Sequence, residues 1–382
     1  MPGIVRQECP AAPCQTRPGP PSEVRHIMAS ITIVTDAWHP QVNGVVRSIE
    51  NTNRELTRLG TRVSMVTPER FSSIPCPTYP EIRLSIASYR RVAAEIERHQ
   101  PSFVHIATEG PLGLTARRWC LRNGMPFTTC YHTRFPEYVS ARLPIPKSLL
   151  YAFVRWFHNA GSACMVATES LEQELAARGI RNIVRWSRGV DTDLFQPTEK
   201  DAMPFGLPRP LFMTVGRIAL EKNLPGFLDL DLPGSKVVIG DGPAKAELER
   251  RYPNVLFTGL KFGDDLARAY AQADVFVFPS KTDTFGNTII EALASGVPVA
   301  AHPVTGPIDI LRDHPQAGVL HEDLREACLA ALSASGEAAR ALAETYSWES
   351  AGRQFLDNVL VANARRRKPT RKAANSFAVL PD

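Results

Sequence analysis

Two acidic side chains, Asp283 and Glu291, lie eight residues apart in a segment that combines a strand, a short loop and a helix. The strand is predicted over 274–278, and the helix is predicted to begin near Gly286. A helix start offers backbone N–H groups and a positive dipole end, which suit a phosphate. The two carboxylates can accept hydrogen bonds from sugar hydroxyls. The segment is therefore typical of a site for a nucleotide diphosphate joined to a sugar, although capped helices with acidic first turns also occur in α/β repeats for structural reasons alone.

A pair of cations favours the same chemistry. Arg217 and Lys222 follow another predicted strand, 211–215, at the end where open parallel sheets bind their ligands. Arginine offers a planar fork to a diphosphate, and lysine offers a point charge. Either cation alone is more often a solvated surface group, so the inference depends on both of them occurring together with the acidic pair.

The order of these residues resembles that of the retaining GT-B glycosyltransferases, a large family that includes phosphatidylinositol mannosyltransferases, sucrose synthases and bacterial glycolipid (diacylglycerol) glycosyltransferases. A Gly-Arg-x4-Lys-Asn run ends at Asn223 and is followed by an acidic-x7-Glu element. The resemblance covers residues 30–360 in outline. The first carboxylate of this element is usually Glu in the family, whereas this chain has Asp283, which is one methylene shorter.

The resemblance implies a role for each of these side chains. Arg217 and Lys222 would stabilise the leaving diphosphate, Glu291 would bind the ribose, and Asp283 would bind the donor sugar. His132, which follows a predicted strand, matches a family histidine that touches the transferred sugar. These five residues form the predicted catalytic set.

Further residues are predicted around the donor and the acceptor. Gly44 follows Asn43 where the first strand joins the first helix. A glycine there lets a ligand approach the backbone closely, although an Asn-Gly pair is also a common turn. The predicted donor-binding residues are Gly44, Gly240, Phe285, Gly286, Asn287 and Thr288. The predicted acceptor residues are Glu109, which ends a strand, and Arg134.

These residues need a scaffold that brings several strand ends together. The predicted strands are 31–35, 62–67, 102–107, 126–131, 163–168 and 182–186, followed by 211–215, 236–240, 254–257, 274–278 and 297–301. Helical patterns, such as 45–59, 87–99 and 111–123, lie between most of them. This alternation predicts parallel sheets covered on both faces. We therefore expect an α/β fold, and the resemblance implies that it is GT-B: two doubly wound Rossmann-like domains facing each other across a cleft.

The expected domain organisation follows from this alternation and from composition. The predicted units are an acceptor-binding domain over 29–195, a polar, proline-bearing linker over 196–209 and a nucleotide-sugar-binding domain over 210–347. The resemblance implies that a terminal helix, 348–363, crosses back to the first domain. Residues 1–28 are predicted to be a disordered extension or the product of a start codon assigned too early. The basic tail, 364–382, is predicted to be disordered.

Composition places the chain among ordinary globular proteins. Its 382 residues are 44% hydrophobic and 22% charged, and no run of 18 apolar residues could span a membrane. Seven scattered cysteines show no CxxC pair and no metal-ligand spacing, which favours reduced thiols in a cytosolic setting. The N-terminus lacks the apolar core of a signal peptide.

The acceptor is suggested by an apolar stripe in a helix predicted over 146–158. The stripe consists of Leu149, Leu150, Phe153, Val154 and Phe157. Such a stripe usually belongs to the core, but with the neighbouring Trp156 and its basic flanks it also suits a membrane surface. A net charge of +5 and the basic run 365–372 favour anionic lipid. We therefore expect a lipid acceptor such as diacylglycerol and a peripheral location on the inner face of the cytoplasmic membrane.

The predicted reaction is hexosyl transfer from a nucleotide-diphosphate sugar, UDP-glucose or a similar donor, to an acceptor hydroxyl. The resemblance implies retention of anomeric configuration, with the acceptor attacking the face from which the diphosphate leaves. Two side-chain cations and a helix dipole can replace Mg²⁺, so we expect no metal, no cofactor beyond the donor as co-substrate, and no nucleic-acid partner.

Other functions remain open at this point. They are a GDP-mannose-dependent mannosyltransferase, transfer to a soluble saccharide, an epimerase on the GT-B fold and a non-catalytic binding protein. The presence of Arg217, Lys222 and Glu291 argues against the non-catalytic protein. The sequence leaves the oligomeric state undetermined.

Overall fold

The structure is a computed structural model that describes residues 30–41, 43–76 and 79–366, with backbone only at residues 76, 79–82, 365 and 366. The predictions for residues 1–28, and for nearly all of the tail 364–382, lie outside the described residues.

The first domain is built on a six-stranded parallel sheet. Its strands are β1 (Ser30–Val34), β2 (Arg62–Val66), β5 (Phe103–Ile106), β6 (Phe127–Cys130), β7 (Ala163–Val166) and β8 (Ile183–Arg185), in the order β2-β1-β5-β6-β7-β8. An antiparallel hairpin, β3 (Ser72–Cys76) and β4 (Tyr79–Ile86), follows β2. The helices are α1 (Gly44–Arg58), α2 (Tyr89–Arg98), α3 (Pro111–Arg122), α4 (Phe135–Ser140), α5 (Lys147–His158) and α6 (Glu169–Ala177).

The second domain repeats this plan. Its strands are β9 (Leu211–Val215), β10 (Ser235–Ile239), β11 (Leu256–Gly259), β12 (Val275–Phe278), β13 (Val299–Ala301) and β14 (Gly318–Leu320), in the order β11-β10-β9-β12-β13-β14. The helices are α7 (Pro225–Leu228), α8 (Lys245–Arg251), α9 (Gly263–Ala271), α10 (Asn287–Ala294), α11 (Pro307–Leu311), α12 (Leu324–Ala331) and α13 (Gly336–Ala343).

The predicted fold class is confirmed, because both domains are Rossmann-like α/β units with parallel sheets. Their central strands are apolar on both faces since helices cover both sides of each sheet; every residue of β1 and β12 is buried. The sequence did not predict the β3–β4 hairpin or β14. The hairpin pairs only with itself and β14 has three residues, so neither carries a long apolar run.

A long terminal helix, α14 (Trp348–Arg366), packs against α1 and beneath β5, β6 and β7 of the first domain. Gly352 makes the close approach possible, since a Cβ there would lie 2.6 Å from the Cβ of Glu55. Phe355 of the same helix packs edge-on against the rings of His105 and Trp186, at 4.8 and 5.0 Å between ring centroids. The helix thus closes the core under the strand ends of the first domain. Across the described ranges, no helix is both long and apolar enough to cross a bilayer.

Candidate active site between the two domains

The loop between β12 and α10 positions the predicted acidic pair. Gly286 adopts a left-handed conformation, with φ of 98°, and ends the loop as the residue before α10. A side chain there would be strained, and its Cβ would lie 2.8 Å from Ile289 Cδ1. The helix then begins at Asn287, and its first N–H groups have no intrahelical acceptors. The chain therefore provides the helix start that an anion would need.

Asp283 and Lys222 form an ion pair beside this helix start, with 2.8 Å between Lys222 Nζ and Asp283 Oδ2. Asp283 Oδ1 also accepts a hydrogen bond from Thr284 N at 2.8 Å. Burial opposes ionisation of Asp283. Lys222 and the backbone N–H groups of Thr284 and Phe285 outweigh burial, so the pKa of Asp283 lies below its ordinary value. Lys222, which is predicted to bind the diphosphate, therefore also lowers the pKa of Asp283, which is predicted to bind the donor sugar.

Arg217 and Lys222 both lie between the end of β9 and the start of α7. The charge of Arg217 reaches Glu221, which also forms an ion pair with Arg142 of the first domain at 2.7 Å. Burial opposes ionisation of Glu221, but a backbone N–H, Arg142 and Arg217 together lower the pKa of Glu221. Each predicted cation thus acts on a carboxylate: Lys222 on Asp283, and Arg217 on Glu221.

Glu291 is engaged by two residues that the sequence analysis did not identify. Its Oε1 accepts a hydrogen bond from Arg47 Nη1 of α1 at 2.8 Å, and its Oε2 accepts one from the Tyr270 hydroxyl of α9 at 2.9 Å. Burial raises the pKa of Glu291, and Arg47 and Tyr270 oppose that rise. An ionised carboxylate has about four acceptor positions, so two partners leave capacity for ribose hydroxyls.

His132 lies at the carboxyl end of the central strand β6 and contacts the second domain through its backbone. The Thr284 hydroxyl donates a hydrogen bond to the His132 carbonyl oxygen at 2.9 Å. Burial lowers the pKa of the His132 ring well below its ordinary value, with further contributions from Arg188, His105 and His158. The ring is therefore neutral at physiological pH.

The two predicted acceptor residues already have partners in the structure. Glu109 Oε1 lies 3.1 Å from His158 Nε2, in a pair whose histidine side chain is fully buried. Arg134 donates to both carboxylate oxygens of Glu174, at 3.1 and 2.7 Å, and to the backbone oxygen of Asp283 at 2.8 Å. Arg134 thereby joins the first domain to the loop that carries Asp283. A contact of either residue with the acceptor remains a prediction.

Gly44 and Asn287, both predicted to bind the donor, face each other across the two domains. Asn287 Nδ2 donates to the Gly44 carbonyl oxygen at 3.5 Å, and a Cβ at Gly44 would lie only 2.9 Å from that nitrogen. Asn43 caps α1 by accepting from the N–H groups of Val45 and Val46, each at 3.0 Å. A side chain at position 44 would therefore displace the Asn287 amide where the start of α1 approaches the start of α10.

Two other predicted donor residues have clear structural roles. Gly240 follows β10 with φ of 143°, and a Cβ there would lie 1.9 Å from the Gly216 carbonyl oxygen, so the ends of β9 and β10 approach too closely for a side chain. Phe285 is buried and packs edge-on against Tyr346, with 5.8 Å between centroids. Thr288 lies in the first turn of α10.

The contacts above place the two domains in a closed arrangement. Arg47–Glu291, Thr284–His132, Arg134–Asp283 and Asn287–Gly44 all cross from one domain to the other. They bring the carboxyl ends of both sheets to one cleft, where the predicted catalytic residues lie. Within the described part of the chain, no cluster of three or more His, Cys, Asp or Glu side chains is arranged to hold a metal ion.

Two Rossmann-like domains whose polar strand ends meet in one cleft form the GT-B architecture. Residues 42–194 match the model described as Glycosyltransferase Family 4, and residues 209–335 match the model described as Glycosyl transferases group 1. The chain belongs to this family of glycosyltransferases, which use nucleotide sugars as donors.

Curated relatives cover most of the chain. It is 30% identical to a GDP-mannose-dependent alpha-mannosyltransferase of Mycobacterium tuberculosis, over 74% of this chain and 82% of the relative. It is 32% identical to the sulfoquinovosyl transferase SQD2 of Arabidopsis thaliana, over 81% of this chain and 69% of the relative. It is 27% identical to an alpha-monoglucosyldiacylglycerol synthase of Streptococcus pneumoniae, over 71% and 70% respectively.

Solved structures support the fold. A sucrose-phosphate synthase from Thermosynechococcus elongatus superposes with a TM-score of 0.70 over 88% of this chain and 100% of its own, at 19% identity. At that identity the similarity concerns the fold alone.

Three residues of the site were missed by the sequence analysis. Arg188 follows β8 just as Arg217 follows β9, so its position at a strand end was a usable signal. Arg47 lies in the first turn of the helix that follows Asn43, and this position was a weaker signal of a site residue. Tyr270 gave no signal, because it reaches Glu291 only through the packing of α9 beside α10.

Proposed function

We propose that this protein is a retaining hexosyltransferase that moves a hexosyl group from a nucleotide-diphosphate sugar to a hydroxyl of a membrane lipid. One observation carries the proposal: the Lys222–Asp283 pair and the start of α10 lie against His132 of the other domain, because Thr284 binds the His132 carbonyl oxygen. A cation, a helix start and a neutral imidazole thus meet in one cleft. A sugar diphosphate presents a complementary set of groups.

The diphosphate would lie against Arg217, Lys222 and the N–H groups at 286–288. After its contact with Asp283, the Lys222 ammonium keeps two further N–H donors. Negative charge grows on the leaving phosphate during transfer, and donors held in place by the fold stabilise that charge without reorganising. Asp283 holds the lysine there, and its remaining acceptor capacity is directed to a sugar hydroxyl.

The ribose would bind at Glu291. Arg47 and Tyr270 fix the carboxylate and keep part of its charge balanced, so the ribose hydroxyls can donate to it without displacing either partner. Since Arg47 belongs to the first domain, nucleotide binding at this carboxylate is coupled to closure of the cleft.

Retention is proposed to proceed with the acceptor hydroxyl attacking the face from which the diphosphate leaves. The carboxylates near His132 support a route without a covalent sugar–enzyme intermediate, since Asp283 is paired with Lys222 and Glu109 with His158. The same cation set supports turnover without a divalent ion, and the donor is proposed as the only co-substrate required besides the acceptor.

The proposed donor is UDP-glucose or a similar nucleotide sugar. GDP-mannose is the second candidate, because the similar Mycobacterium tuberculosis protein is named as a GDP-mannose-dependent mannosyltransferase. A diacylglycerol-type acceptor is supported by the similar alpha-monoglucosyldiacylglycerol synthase of Streptococcus pneumoniae.

The predicted apolar stripe of α5 divides into two faces in the structure. Leu150, Val154 and Phe157 are buried, so that part of the stripe belongs to the core and its interpretation as a membrane surface was wrong. Phe153 is half-buried. By contrast, Leu149 of the stripe and Trp156 beside it are 63% and 53% exposed. They lie seven residues apart, which is about two helical turns, and therefore share one face.

The same helix carries two exposed cations, Lys147 and Arg155, on other faces. A helix that carries both exposed apolar side chains and cations suits the surface of an anionic bilayer. We propose that α5 holds the enzyme as a peripheral protein on the inner face of the cytoplasmic membrane.

The test is a donor and acceptor matrix. UDP-glucose, UDP-galactose and GDP-mannose are each incubated with vesicles containing diacylglycerol, with vesicles lacking it, and with soluble glycosides. We expect one hexosyl donor to yield a glycolipid whose anomeric configuration, read by proton NMR, equals that of the donor, with turnover unchanged by EDTA. An inverted product, or activity abolished by EDTA and restored by Mg²⁺, would contradict the mechanism. Transfer only to soluble glycosides would contradict the lipid acceptor.

A further inference from the structure

Arg188 is a buried cation beside His132, just beyond the end of β8. It is 4% exposed, and its guanidinium lies over the Trp186 ring at 4.0 Å. Its Nη1 donates to the carbonyl oxygens of Trp186 and Ser187, at 2.8 and 3.2 Å. In the ranges that the structure describes, no carboxylate lies within ion-pair distance of it. Its charge is thus met by carbonyl oxygens, by the Trp186 ring and, at 3.9 Å from Nη2, by the sulfur of Cys130.

The second terminal nitrogen of Arg188, Nη2, faces both the Cys130 sulfur and the His132 ring. Nη2 lies 3.4 Å from His132 Nδ1 in hydrogen-bonding geometry. A guanidinium in a protein stays protonated and can only donate, so His132 Nδ1 must be the acceptor. A neutral imidazole that accepts at Nδ1 carries its proton on Nε2. The contact with Arg188 therefore decides which nitrogen of His132 is protonated.

The groups around the ring keep it neutral. Arg188 faces it from β8, His105 from β5 and His158 from α5. Burial lowers the pKa of His105 to about 3, so that ring is uncharged. His158 has a pKa raised to about 10, against the effect of burial, by Cys164 and Glu109, and Glu109 balances its charge. The positive neighbours thus all oppose protonation of His132.

The other ring nitrogen of His132 is Nε2. It is buried, and it has no hydrogen-bond partner among the residues that the structure describes. Buried N–H donors in folded proteins almost always have an acceptor, so an unmatched one beside the cleft indicates a place for a ligand oxygen. A sugar hydroxyl or ring oxygen supplies such an acceptor.

We infer that Arg188 is a positioning residue, which holds His132 as the Nε2–H tautomer so that the ring donates a hydrogen bond to an oxygen of the bound sugar. The identity of that oxygen rests on the proposed function; the tautomer does not. In this state His132 cannot act as a general base, because Nε2 already carries a proton and Nδ1 faces a cation. Trp186 anchors the arrangement by donating from Nε1 to the Ala351 carbonyl oxygen of α14 at 3.1 Å.

The tautomer is tested on the ligand-free protein by NMR of ¹⁵N-labelled histidine, with His132→Ala identifying the resonances. We expect a protonated Nε2, an unprotonated Nδ1 and no titration over the range in which ordinary histidines titrate. In Arg188→Met the tautomer should no longer be fixed and the pKa of His132 should rise. Arg117→Met is the matched control: Arg117 is also buried and donates to backbone carbonyls, but it contacts α5 rather than His132. A wild-type ring protonated at Nδ1 would overturn the inference.

Kinetics then test whether the positioning matters. Arg188→Met should lower kcat by about 10- to 100-fold, as loss of such a supporting contact does in metal sites, and should move the acid limb of the pH profile upward. On a His132→Ala background the same change should cost nothing further. Additive losses in the double variant, or an unmoved acid limb, would mean that Arg188 acts only on stability.

Two further results separate the role of Arg188 from the folding of its variants and from the proposed function. If Arg188→Met does not fold, Arg188→Lys keeps the charge while losing the planar fork; it should show a partly restored rate, and an intact wild-type rate would refute the need for the fork. If the tautomer is as expected but no nucleotide sugar is turned over, the proposed function fails and the role of Arg188 in fixing the ring stands. If a nucleotide sugar is turned over but His132 carries its proton on Nδ1, the proposed function stands and the role of Arg188 fails.

Discussion

Arg47 of the first domain donates a hydrogen bond to Glu291 of the second, with 2.8 Å between Nη1 and Oε1. The same carboxylate is the predicted ribose ligand. One side chain therefore serves both the closed arrangement of the domains and the proposed nucleotide site. Nucleotide affinity and cleft closure should consequently depend on each other, and the protonation state of Glu291 should affect both.

Replacing Arg47 by Ala is expected to raise the pKa of Glu291 further, because burial already raises it and Arg47 opposes that rise. The ionised carboxylate accepts the ribose hydroxyls, so nucleotide affinity is lost as the pH falls through this pKa. The loss should therefore begin at a higher pH in Arg47→Ala than in the wild type. Calorimetry with UDP and GDP across pH measures it. Glu291→Ala should weaken binding by about 1.5–3 kcal/mol, the usual scale for a charged hydrogen bond.

Arg54 is the control for Arg47, since it is an exposed arginine about two turns further along the same helix. Arg54→Ala should leave the pH dependence of nucleotide binding unchanged. An identical pH dependence in Arg47→Ala and wild type would mean that Arg47 does not control Glu291.

Replacing Lys222 by Ala is expected to lower kcat by roughly 10²–10³-fold, the scale for removing one donor that stabilises the developing charge. It should also destabilise the fold, because Asp283 is left buried without its cation. Since Lys222 lowers the pKa of Asp283, its contribution to stability exists above about pH 3.8 and is lost below it. The difference in melting temperature between variant and wild type should therefore shrink as the pH falls below about 4.

Arg217→Ala separates the two effects of the Lys222 change. It should reduce kcat on the same scale while leaving the Lys222–Asp283 pair intact. Its effect on stability should act through Glu221, whose pKa Arg217 helps to lower, and should be lost as the pH falls below the ordinary value of 4.5. Turnover near the wild-type value in both variants would contradict the phosphate site.

Replacing Glu109 by Gln tests the buried pair with His158. Cys164 and Glu109 raise the pKa of His158 in the folded state to about 10, against burial, so the share due to Glu109 stabilises the fold fully below the unfolded value of about 6.5 and is lost as the pH rises through about 10. The difference in unfolding free energy between wild type and variant should therefore be largest in mild acid and should vanish in strong base. Urea unfolding at several pH values measures it. A constant difference would show that His158 is uncharged.

The same variant tests Glu109 as an acceptor ligand. If Glu109 contacts the acceptor, Glu109→Gln should raise the KM for the acceptor and leave the KM for the donor unchanged. Unchanged constants for both substrates would restrict Glu109 to a structural role.

Replacing Leu149 and Trp156 by Ser should weaken binding to anionic vesicles, because both side chains are exposed. The melting temperature should fall only by the loss of the stacking contact between Trp156 and Arg117, whose guanidinium lies 3.7 Å from the ring centroid. Phe157→Ser should instead impair folding, since Phe157 is fully buried. Flotation at low and high salt, alongside melting curves, distinguishes these outcomes. Serine at the exposed Met203 of the linker and Leu332 of the second domain is the control and should not affect flotation. Equal flotation of the α5 variant and wild type would contradict the membrane surface.

Much of this protein was determined by the sequence itself. The strand positions follow from short apolar runs between helical patterns, and these are local properties. Arg217 and Asp283 were predicted to face one cleft because each follows a parallel strand, and such strands end at the same edge of a sheet. The chemistry of the site could therefore be inferred from residue type and spacing along the chain.

The tertiary structure alone decided which of these groups act on one another. Lys222 and Asp283 are 61 residues apart, and Arg47 and Glu291 are 244 apart. Their contacts depend on the order of strands in each sheet and on how the two domains close, and neither is encoded in local spacing. The hydrogen bond from Arg188 to His132 likewise requires β8 and β6 to lie two strands apart in one sheet. The protonation state of each buried group follows from these neighbours, because in a buried site a pKa is governed by desolvation and by the charges within a few ångströms.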